Sequence, residues 1–367
     1  MGKRNDQKGN YLINSLYSRP MNKNIYILPV SATFRDINYP EPLIRSKESL
    51  ESKLKNNEFN ISLGGLVSPG VYKAKLNGKG AIVKHIENKV PQTPIEFLVM
   101  ADRYTTEVKV LKRLQNLNEV KAPLILYPFP KLNTFVMEDL SDEGYTSFSG
   151  QLLQKKLNKK SASKIGTALA TFAVNSRTWE EFKTTESAQL NYYDRSIEML
   201  IAYPSNLERY NRMADIYAQY TEDKEEIEKK KRYFVWPDST PQNILITKNG
   251  DPAFVDFERA YWGDQQIMIA AFIAHVILYS LIGYIKKADT IEYLRDVFKA
   301  YKAIDPDISE QTIVEYIAME LLHRSNGKEM DGIKSSEDSL AIQKFARQLL
   351  DKGTTSMTGM FTLLKKA

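Results

Sequence analysis

The feature that most constrains the fold of this chain is a pair of polar motifs separated by a predicted β-hairpin. Asp238 is followed by Asn243, and the apolar segment Ile244–Ile246 comes directly afterwards. An Asn-Gly turn then leads into a second apolar segment, which ends at Asp256 and continues to Glu258. Because a hairpin returns the chain to its starting point, the spacing predicts that the side chains of Asp238, Asn243 and Asp256 surround one point.

These residue types are those that phosphoryl transfer requires. A carboxylate orients the acceptor hydroxyl and takes its proton, while oxygen ligands hold Mg²⁺ against the triphosphate. We therefore assign Asp238 as the base, and Asn243 and Asp256 as Mg²⁺ ligands. In an extended segment Glu258 would face the same side as Asp256, which makes it a further metal contact, directly or through water. The alternative is a loop in which Asp238 and Asn243 cap turns and Asp256 pairs with a nearby lysine.

Two charged residues upstream match the rest of such a site. Lys84 ends an apolar strand pattern that begins at Ala81, where a lysine would hold the phosphates of ATP. Glu107 lies on the next predicted helix and can pair with Lys84. Considered separately, Lys84 would more commonly be a surface residue at a strand end, and Glu107 would be an exposed helix acid near Lys109.

Two further segments have the composition of nucleotide contacts. A loop that would cover the phosphates is predicted at Gly64, Gly65 and Ser68, although an ordinary hairpin turn fits these residues equally well. The segment 134–140 is typical of a strand that leads into a hinge between two lobes. There the carbonyl of Glu138 and the backbone as far as Leu140 would meet adenine. The alternative is a plain strand end.

The order of predicted elements indicates strands first and helices afterwards. The strongest local signal is Asn77-Gly78, which lies between Val71–Leu76 and Ala81–Ile86 and predicts a hairpin. Other strands are predicted at Leu124–Tyr127, Thr134–Met137, Tyr233–Trp236, Ile244–Ile246 and Phe254–Asp256. Helices are predicted at Ser46–Lys55, Ala101–Leu114, Ala162–Phe182, Tyr192–Ala202 and Leu207–Lys230.

A chain of 367 residues is too long for a single hydrophobic core, so we expect two lobes. Residues 1–58 are predicted to be an N-terminal extension with a short helix. Residues 59–140 would form a small nucleotide-binding lobe, an antiparallel sheet with one main helix. Residues 141–367 would form a larger helical lobe that holds the catalytic loop, the metal site and the acceptor site.

Composition excludes several other functions. The chain has no cysteine and three histidines without metal-ligand spacing, which excludes thiolate chemistry and disfavours zinc hydrolysis. A net charge of +6 suits an anionic ligand such as a nucleotide and gives no reason to expect nucleic acid. The apolar run Ile267–Ile285 could mimic a membrane span, but His275 lies within it, so we expect a buried core helix. A polar N-terminus without a signal pattern predicts a cytoplasmic protein without a membrane partner.

The motifs resemble the aminoglycoside phosphotransferase and choline kinase superfamily, and within it the chain looks most like methylthioribose kinase. The similarity is carried by Ile82-Val83-Lys84, Glu107, Val136–Ser141, Asp256-x-Glu258, Tyr261-x-Gly263 and Glu320–Gly327. The resemblance implies an α+β, protein-kinase-like two-lobed fold and an ATP- and Mg²⁺-dependent kinase. Its acceptor would be a hydroxyl of a sugar, an amino alcohol or an aminoglycoside-like molecule. It also implies that Arg324 lines the acceptor site, although a helix-terminal salt bridge explains this arginine equally well. A homodimer is possible.

The chain departs from this superfamily at the catalytic loop. Where the superfamily usually has His-Gly-Asp, this sequence has Trp236-Pro237-Asp238. It keeps an Asn at 243, which methylthioribose kinases generally lack, and has Phe257-Glu258-Arg259 where they have Pro-Glu-Phe. A pseudokinase that binds nucleotide without turnover is therefore the alternative. A protein kinase is disfavoured, because too little chain separates Asp256 from the next apolar helix for an activation segment.

Overall fold

The hairpin predicted from the Asn-Gly pair is present in the computed structural model, which describes residues 43–44, 70–76, 78–86, 103–117, 120–183, 232–325 and 332–367. Strand β2 (Val71–Leu76) pairs antiparallel with β3 (Lys79–His85), with Ala74 opposite Ala81. Gly78 adopts a left-handed conformation in the turn, with φ of 82°. A glycine reaches this conformation at no steric cost, so the turn closes without strain.

This hairpin belongs to a five-stranded sheet whose two faces join different cores. The strand order is β1-β2-β3-β5-β4, where β1 is Leu43–Ile44, β4 is Ile125–Phe129 and β5 is Thr134–Glu138. One face packs as a small cluster of Ala74, Ala81, Val83, Phe129 and Val136. The alternate residues Phe135 and Met137 face the other way and join the main core, as the two-residue period of a strand requires. Helix α1 (Arg103–Leu114) supplies the fully buried Val110, Leu111 and Leu114 to that core.

The segment after β5 connects the sheet to the helical part of the chain. A 3₁₀ turn runs over Leu140–Glu143 and ends at Gly144 in the left-handed conformation. The carboxylate of Asp142 accepts from the backbone N–H of Gly80 at 2.8 Å, which fastens this turn to the β2–β3 hairpin. Strand β6 (Thr146–Ser147) and helix α2 (Phe148–Leu153) follow.

The two polar motifs lie on a small hairpin, as predicted. Strands β8 (Ile244–Ile246) and β9 (Pro252–Phe254) pair antiparallel beside β6, while β7 (Tyr233–Val235) pairs with β10 (Tyr261–Gly263). The prediction that the second strand covers residues 254–256 is wrong. It ends at Phe254, and Asp256 has a left-handed φ of 68°. An extended segment from Asp256 to Glu258 is therefore also wrong.

Helices form the rest of the described chain: α3 (Ser161–Ser176), α4 (Gln266–Leu281), α5 (Lys287–Ile304), α6 (Glu310–Ser325), α7 (Ser336–Asp351) and α8 (Met357–Lys366). Every residue from Ile267 to Ser280 is buried, which confirms a core helix. None of the helices in the described ranges is long and apolar enough to cross a membrane. Helix α3 ends at Ser176, earlier than predicted, and a 3₁₀ turn at Glu180–Phe182 follows. The predicted helices 46–55, 192–202 and 207–230 lie outside the described residues, and the division into lobes stays a prediction.

Candidate active site

A buried lysine lies at the centre of the candidate site. Lys84 comes from β3 and is 3% exposed, so the alternative of a surface lysine is wrong. Its Nζ lies 2.5 Å from Asp256 Oδ1, 3.3 Å from Glu107 Oε1 and 3.4 Å from Glu258 Oε2. Glu107 is 1% exposed, which excludes the exposed helix acid considered above. One amine therefore joins the sheet, helix α1 and the segment after β9.

The charges in this cluster perturb one another. Burial alone would lower the pKa of the Lys84 ammonium, but the negative charges of Asp256, Glu107 and Glu258 outweigh it and hold that pKa above its usual value. Burial raises the pKa of the Glu107 carboxyl to about 7, and repulsion from Asp256 and Glu258 acts in the same direction. Lys84 and a hydrogen bond from the Phe257 N–H oppose this rise. The protonated form of Glu107 is therefore accessible near neutral pH.

Glu258 points into this buried cluster. It is 3% exposed, and its Oε1 forms an ion pair with Nη2 of Arg103, which is itself 4% exposed. Sequence reasoning did not assign Arg103 a function. A signal was present, because Arg103 and Glu107 are four residues apart and share one face of α1. Its partner lies 155 positions away, and no local pattern identifies such a contact. Both carboxylate oxygens of Glu258 thus face cations of the protein itself.

The residues of the predicted catalytic loop are more accessible than Lys84 and Glu107. Asp238, Asn243 and Asp256 are each partly exposed, whereas Lys84 and Glu107 are buried. The carbonyl of Asp238 accepts from the backbone N–H of Thr240 at 2.7 Å and from Nδ2 of Asn243 at 3.0 Å. The carbonyl of Asn243 accepts from Val255 N–H at 3.1 Å, next to Asp256 in sequence. These bonds gather the predicted base and the two predicted ligands on one hairpin.

Ser239 and Trp236 hold this loop against its surroundings. The Ser239 hydroxyl donates to the carbonyl of Met268 at 2.6 Å, in the first turn of α4. The indole N–H of Trp236 donates to the carbonyl of Asp256 at 2.8 Å, and the Trp236 ring is fully buried. The tryptophan that replaces the histidine of the resembled family therefore contacts the predicted metal segment directly.

Comparison with solved structures identifies the type of fold. No protein-family model matches this sequence, and no curated protein is similar enough to count as a relative. Among solved structures, the choline kinase LicA from Streptococcus pneumoniae matches with a TM-score of 0.51 at 16% identity, over 84% of this chain and 100% of that chain. The chain has a kinase-like fold, similar to that of LicA. LicA in complex with AMP matches with a TM-score of 0.50 at 16% identity, over 83% and 98% of the two chains. The predicted kinase-like fold class is confirmed.

Within this kinase-like fold, the donor atoms at the hairpin fit a magnesium ion. The amide nitrogen of Asn243 is used as a donor to Asp238, so its amide oxygen is the atom able to bind a cation. Together with a carboxylate oxygen of Asp256, this gives two oxygen ligands, and Mg²⁺ typically takes its remaining positions from phosphates and water. Across the described ranges, no cluster of three or more acidic or histidine side chains forms a complete cation site.

In the predicted hinge, the backbone groups of Glu138 point away from strand β3. Asp139 N–H donates to Gly80 O, so Glu138, which lies opposite Ala81, occupies a non-hydrogen-bonded position in the β3–β5 pair. The backbone N–H and carbonyl of Glu138 therefore point away from β3, and the N–H donates to Leu124 O at 2.9 Å. This orientation is compatible with the predicted adenine contacts of Glu138 and Leu140. The predicted phosphate loop, Gly64, Gly65 and Ser68, lies outside the described residues.

Arg324 forms the salt bridge that sequence reasoning left as an alternative. Its Nε donates to Glu320 Oε1 at 2.9 Å, four residues earlier on α6. The same carboxylate oxygen lies 3.2 Å from His275 Nε2 on α4. Glu320 and His275 are buried, and the side chain of Arg324 is 19% exposed. The acceptor-binding function of Arg324 stays a prediction.

Proposed function

We propose that this chain is an ATP- and Mg²⁺-dependent phosphotransferase that phosphorylates a hydroxyl group of a small molecule. The observation that carries the proposal is the buried Lys84 amine, held within 3.4 Å of three carboxylates, one of which belongs to the hairpin of the predicted base. Burial of a charged lysine costs free energy unless opposite charges or hydrogen bonds compensate for the lost hydration. Its position beside the partly exposed Asp256 suits an amine that meets the phosphates of a nucleotide.

Each residue can then be given a function in the transfer. Glu107 fixes Lys84 from α1, and Lys84 neutralises charge on the nucleotide phosphates. Asp238 accepts the proton of the acceptor hydroxyl while the new oxygen–phosphorus bond forms and the bond to ADP breaks. Asn243 and Asp256 would hold Mg²⁺, which supplies positive charge against the phosphates when bound. Because phosphoryl transfer needs little covalent chemistry from the protein, positioning of these groups accounts for most of the catalysis.

Glu258 is better explained as a structural partner of this machinery than as a metal ligand. Its carboxylate is buried and faces Arg103 and Lys84, not solvent. A buried ion pair of this kind orients the groups around it, and removal of one partner leaves an uncompensated charge. We therefore infer that Glu258 keeps Arg103 and the start of α1 beside Lys84, which leaves Asp256 as the accessible carboxylate for the cation.

The acceptor belongs to the class of polar hydroxyl compounds. Amino alcohols, sugars including methylthioribose, and aminoglycosides all remain in this class, and the likeness to a choline kinase makes amino alcohols the first group to test. No described contact favours methylthioribose over the others. We also propose a cytoplasmic enzyme that needs no membrane or nucleic acid partner, and a homodimer as its assembly to be tested by light scattering.

The alternative function is nucleotide binding without turnover. One contact favours it: Lys84 Nζ lies 2.5 Å from Asp256 Oδ1, so the amine competes with a cation for this carboxylate. A pseudokinase could keep this contact permanently. The partly exposed Asp238 argues against it, because a module that only binds nucleotide does not need a base.

An ATP-consumption screen decides between these functions. Purified protein would be incubated with ATP, Mg²⁺ and pools of amino alcohols, sugars and aminoglycosides, and ADP would be measured. We expect ADP formation that depends on one acceptor pool and is lost in Asp238→Ala. Nucleotide binding with no acceptor-dependent ADP from any pool would favour the pseudokinase. Absence of nucleotide binding would refute both.

A further inference from the structure

One peptide group at the centre of the site is held from both sides. The carbonyl of Asp256 accepts from the indole N–H of Trp236 at 2.8 Å. The N–H of Phe257, which belongs to the same peptide group, donates to Glu107 Oε2 at 2.5 Å. The two partners come from different parts of the fold, because Trp236 precedes the catalytic loop and Glu107 lies on α1. Neither bond is local in sequence.

This double attachment acts on a strained residue. Asp256 has φ of 68°, in the left-handed region that is uncommon for residues other than glycine, aspartate included. Rotation about the N–Cα bond of Asp256 towards the commoner negative φ would swing both the Cβ that carries the carboxylate and the peptide group that follows. Such a rotation has to break the bonds to Trp236 and to Glu107. The conformation of Asp256 is therefore maintained by its tertiary partners.

The indole itself has a fixed orientation. Its ring centroid lies 4.9 Å from that of Phe257, 5.1 Å from Phe254 and 6.0 Å from Phe172. With its ring fully buried among three aromatic side chains, Trp236 cannot turn its N–H away from the Asp256 carbonyl without displacing them. Packing thus defines the direction of one hydrogen bond.

We propose that Trp236 is a positioning residue that fixes the Asp256 carboxylate for a divalent cation through the hydrogen bond from its indole N–H. This inference rests on the proposed function for the identity of the cation site, but not for the effect on the peptide group. Trp236 also precedes the proposed base, Asp238, by two residues. The same side chain therefore couples the loop that carries the base to the segment that carries the metal ligand.

The test separates the hydrogen bond from the packing. Trp236→Phe keeps an aromatic ring and removes the donor, while Trp236→His gives up volume and keeps an N–H donor. Trp179→Phe is the matched control, because Trp179 is 4% exposed and packs on the same Phe172 at 5.6 Å. If Trp236→Phe does not fold, benzothienylalanine at this position replaces the N–H with sulfur and keeps the bicyclic shape.

The first measurement needs no nucleotide. Hydrogen exchange of the Phe257 amide should accelerate about three- to tenfold in Trp236→Phe relative to Trp179→Phe, the effect of one lost hydrogen bond. The second measurement is the gain in ADP affinity that Mg²⁺ produces, obtained by titration with and without the metal. We expect this gain to fall about three- to tenfold in Trp236→Phe, to recover in part in Trp236→His, and to stay unchanged in Trp179→Phe.

Equal effects of Trp236→Phe and Trp179→Phe on both measurements would overturn the proposal and leave Trp236 as a packing residue only. Faster exchange at Phe257 with an unchanged Mg²⁺ effect would also overturn it, since the bond would then fix the peptide without positioning the ligand. If the unmodified protein shows no Mg²⁺-dependent nucleotide binding, the proposed function fails. The exchange measurement would then show separately whether the bond holds the peptide.

Discussion

Replacement of Glu107 by glutamine should remove a pH dependence from the stability of the protein. In the buried cluster, Lys84 and Arg103 bring two positive charges against the three carboxylates of Glu107, Asp256 and Glu258. Burial, with repulsion from the other two acids, raises the pKa of Glu107 from its ordinary value of 4.5 to about 7. The folded protein therefore holds a proton on Glu107 at pH values where the unfolded chain has released it.

The sign of the effect follows from this difference in proton binding. Between pH 4.5 and about 7 the folded state binds more protons than the unfolded state, so the free energy of unfolding falls as the pH rises. Over this interval the loss amounts to about 3 kcal/mol at 25 °C. The glutamine of Glu107→Gln cannot titrate, so the unfolding free energy of this variant should not show this fall with pH. The lost contact with Lys84 adds a difference that is constant with pH.

Urea unfolding at half-unit steps from pH 4.5 to 8 measures the effect. We expect the difference in unfolding free energy between the unmodified protein and Glu107→Gln to change by about 3 kcal/mol across this range, with most of the change below pH 7. Glu181→Gln is the control, since Glu181 forms a half-exposed pair with Arg113. A difference between the unmodified protein and Glu107→Gln that is constant with pH would refute the reasoning, because it would mean that Glu107 is ionised throughout.

Three further changes test the remaining parts of the structure. Asp238→Ala should lower kcat at least about 100-fold and leave ATP affinity within about twofold by calorimetry; an equal loss of both would exclude a base. Asp256→Ala should weaken ATP binding at least about tenfold in the presence of Mg²⁺ and not in its absence; an unchanged affinity would contradict its assignment as a ligand. Gly166→Ala should destabilise the protein by about 2 kcal/mol or more in thermal unfolding, because the new Cβ would lie 2.2 Å from the carbonyl of Val297. Stability equal to that of Gly150→Ala, where the nearest atom is 3.4 Å away, would disprove the close packing of α3 on α5.

Local patterns predicted those parts of the fold that depend on neighbours in sequence. The Asn77-Gly78 pair and the alternation around it identified β2 and β3 correctly, because a two-residue turn and a two-residue period are local properties. The uninterrupted apolar run identified α4 as a core helix, because such a sequence has no polar face to expose. The hairpin of the polar motifs was recognisable for the same reason.

The first and last residues of β9 were not predictable in this way. The sequence offers the apolar residues Phe254 and Val255 and suggests a strand through Asp256, yet the strand begins at Pro252 and ends at Phe254. Proline is tolerated there because β9 lies at the edge of its three-stranded sheet. The backbone at Asp256 departs from an extended conformation, and Trp236 and Glu107 hold the adjoining peptide. Both partners are distant in sequence, so only the assembled fold reveals them.

The charge balance of the buried cluster links the proton on Glu107 to the proposed cation. Lys84 and Arg103 contact three carboxylates, and Glu107, the most buried of the three, is repelled by Asp256 and Glu258. A proton on Glu107 relieves this repulsion in the protein alone. A divalent cation at Asp256 would relieve it as well, and would favour release of that proton by attracting the carboxylate form. Proton and metal should therefore compete, so that Mg²⁺ binds more weakly as the pH falls below about 7.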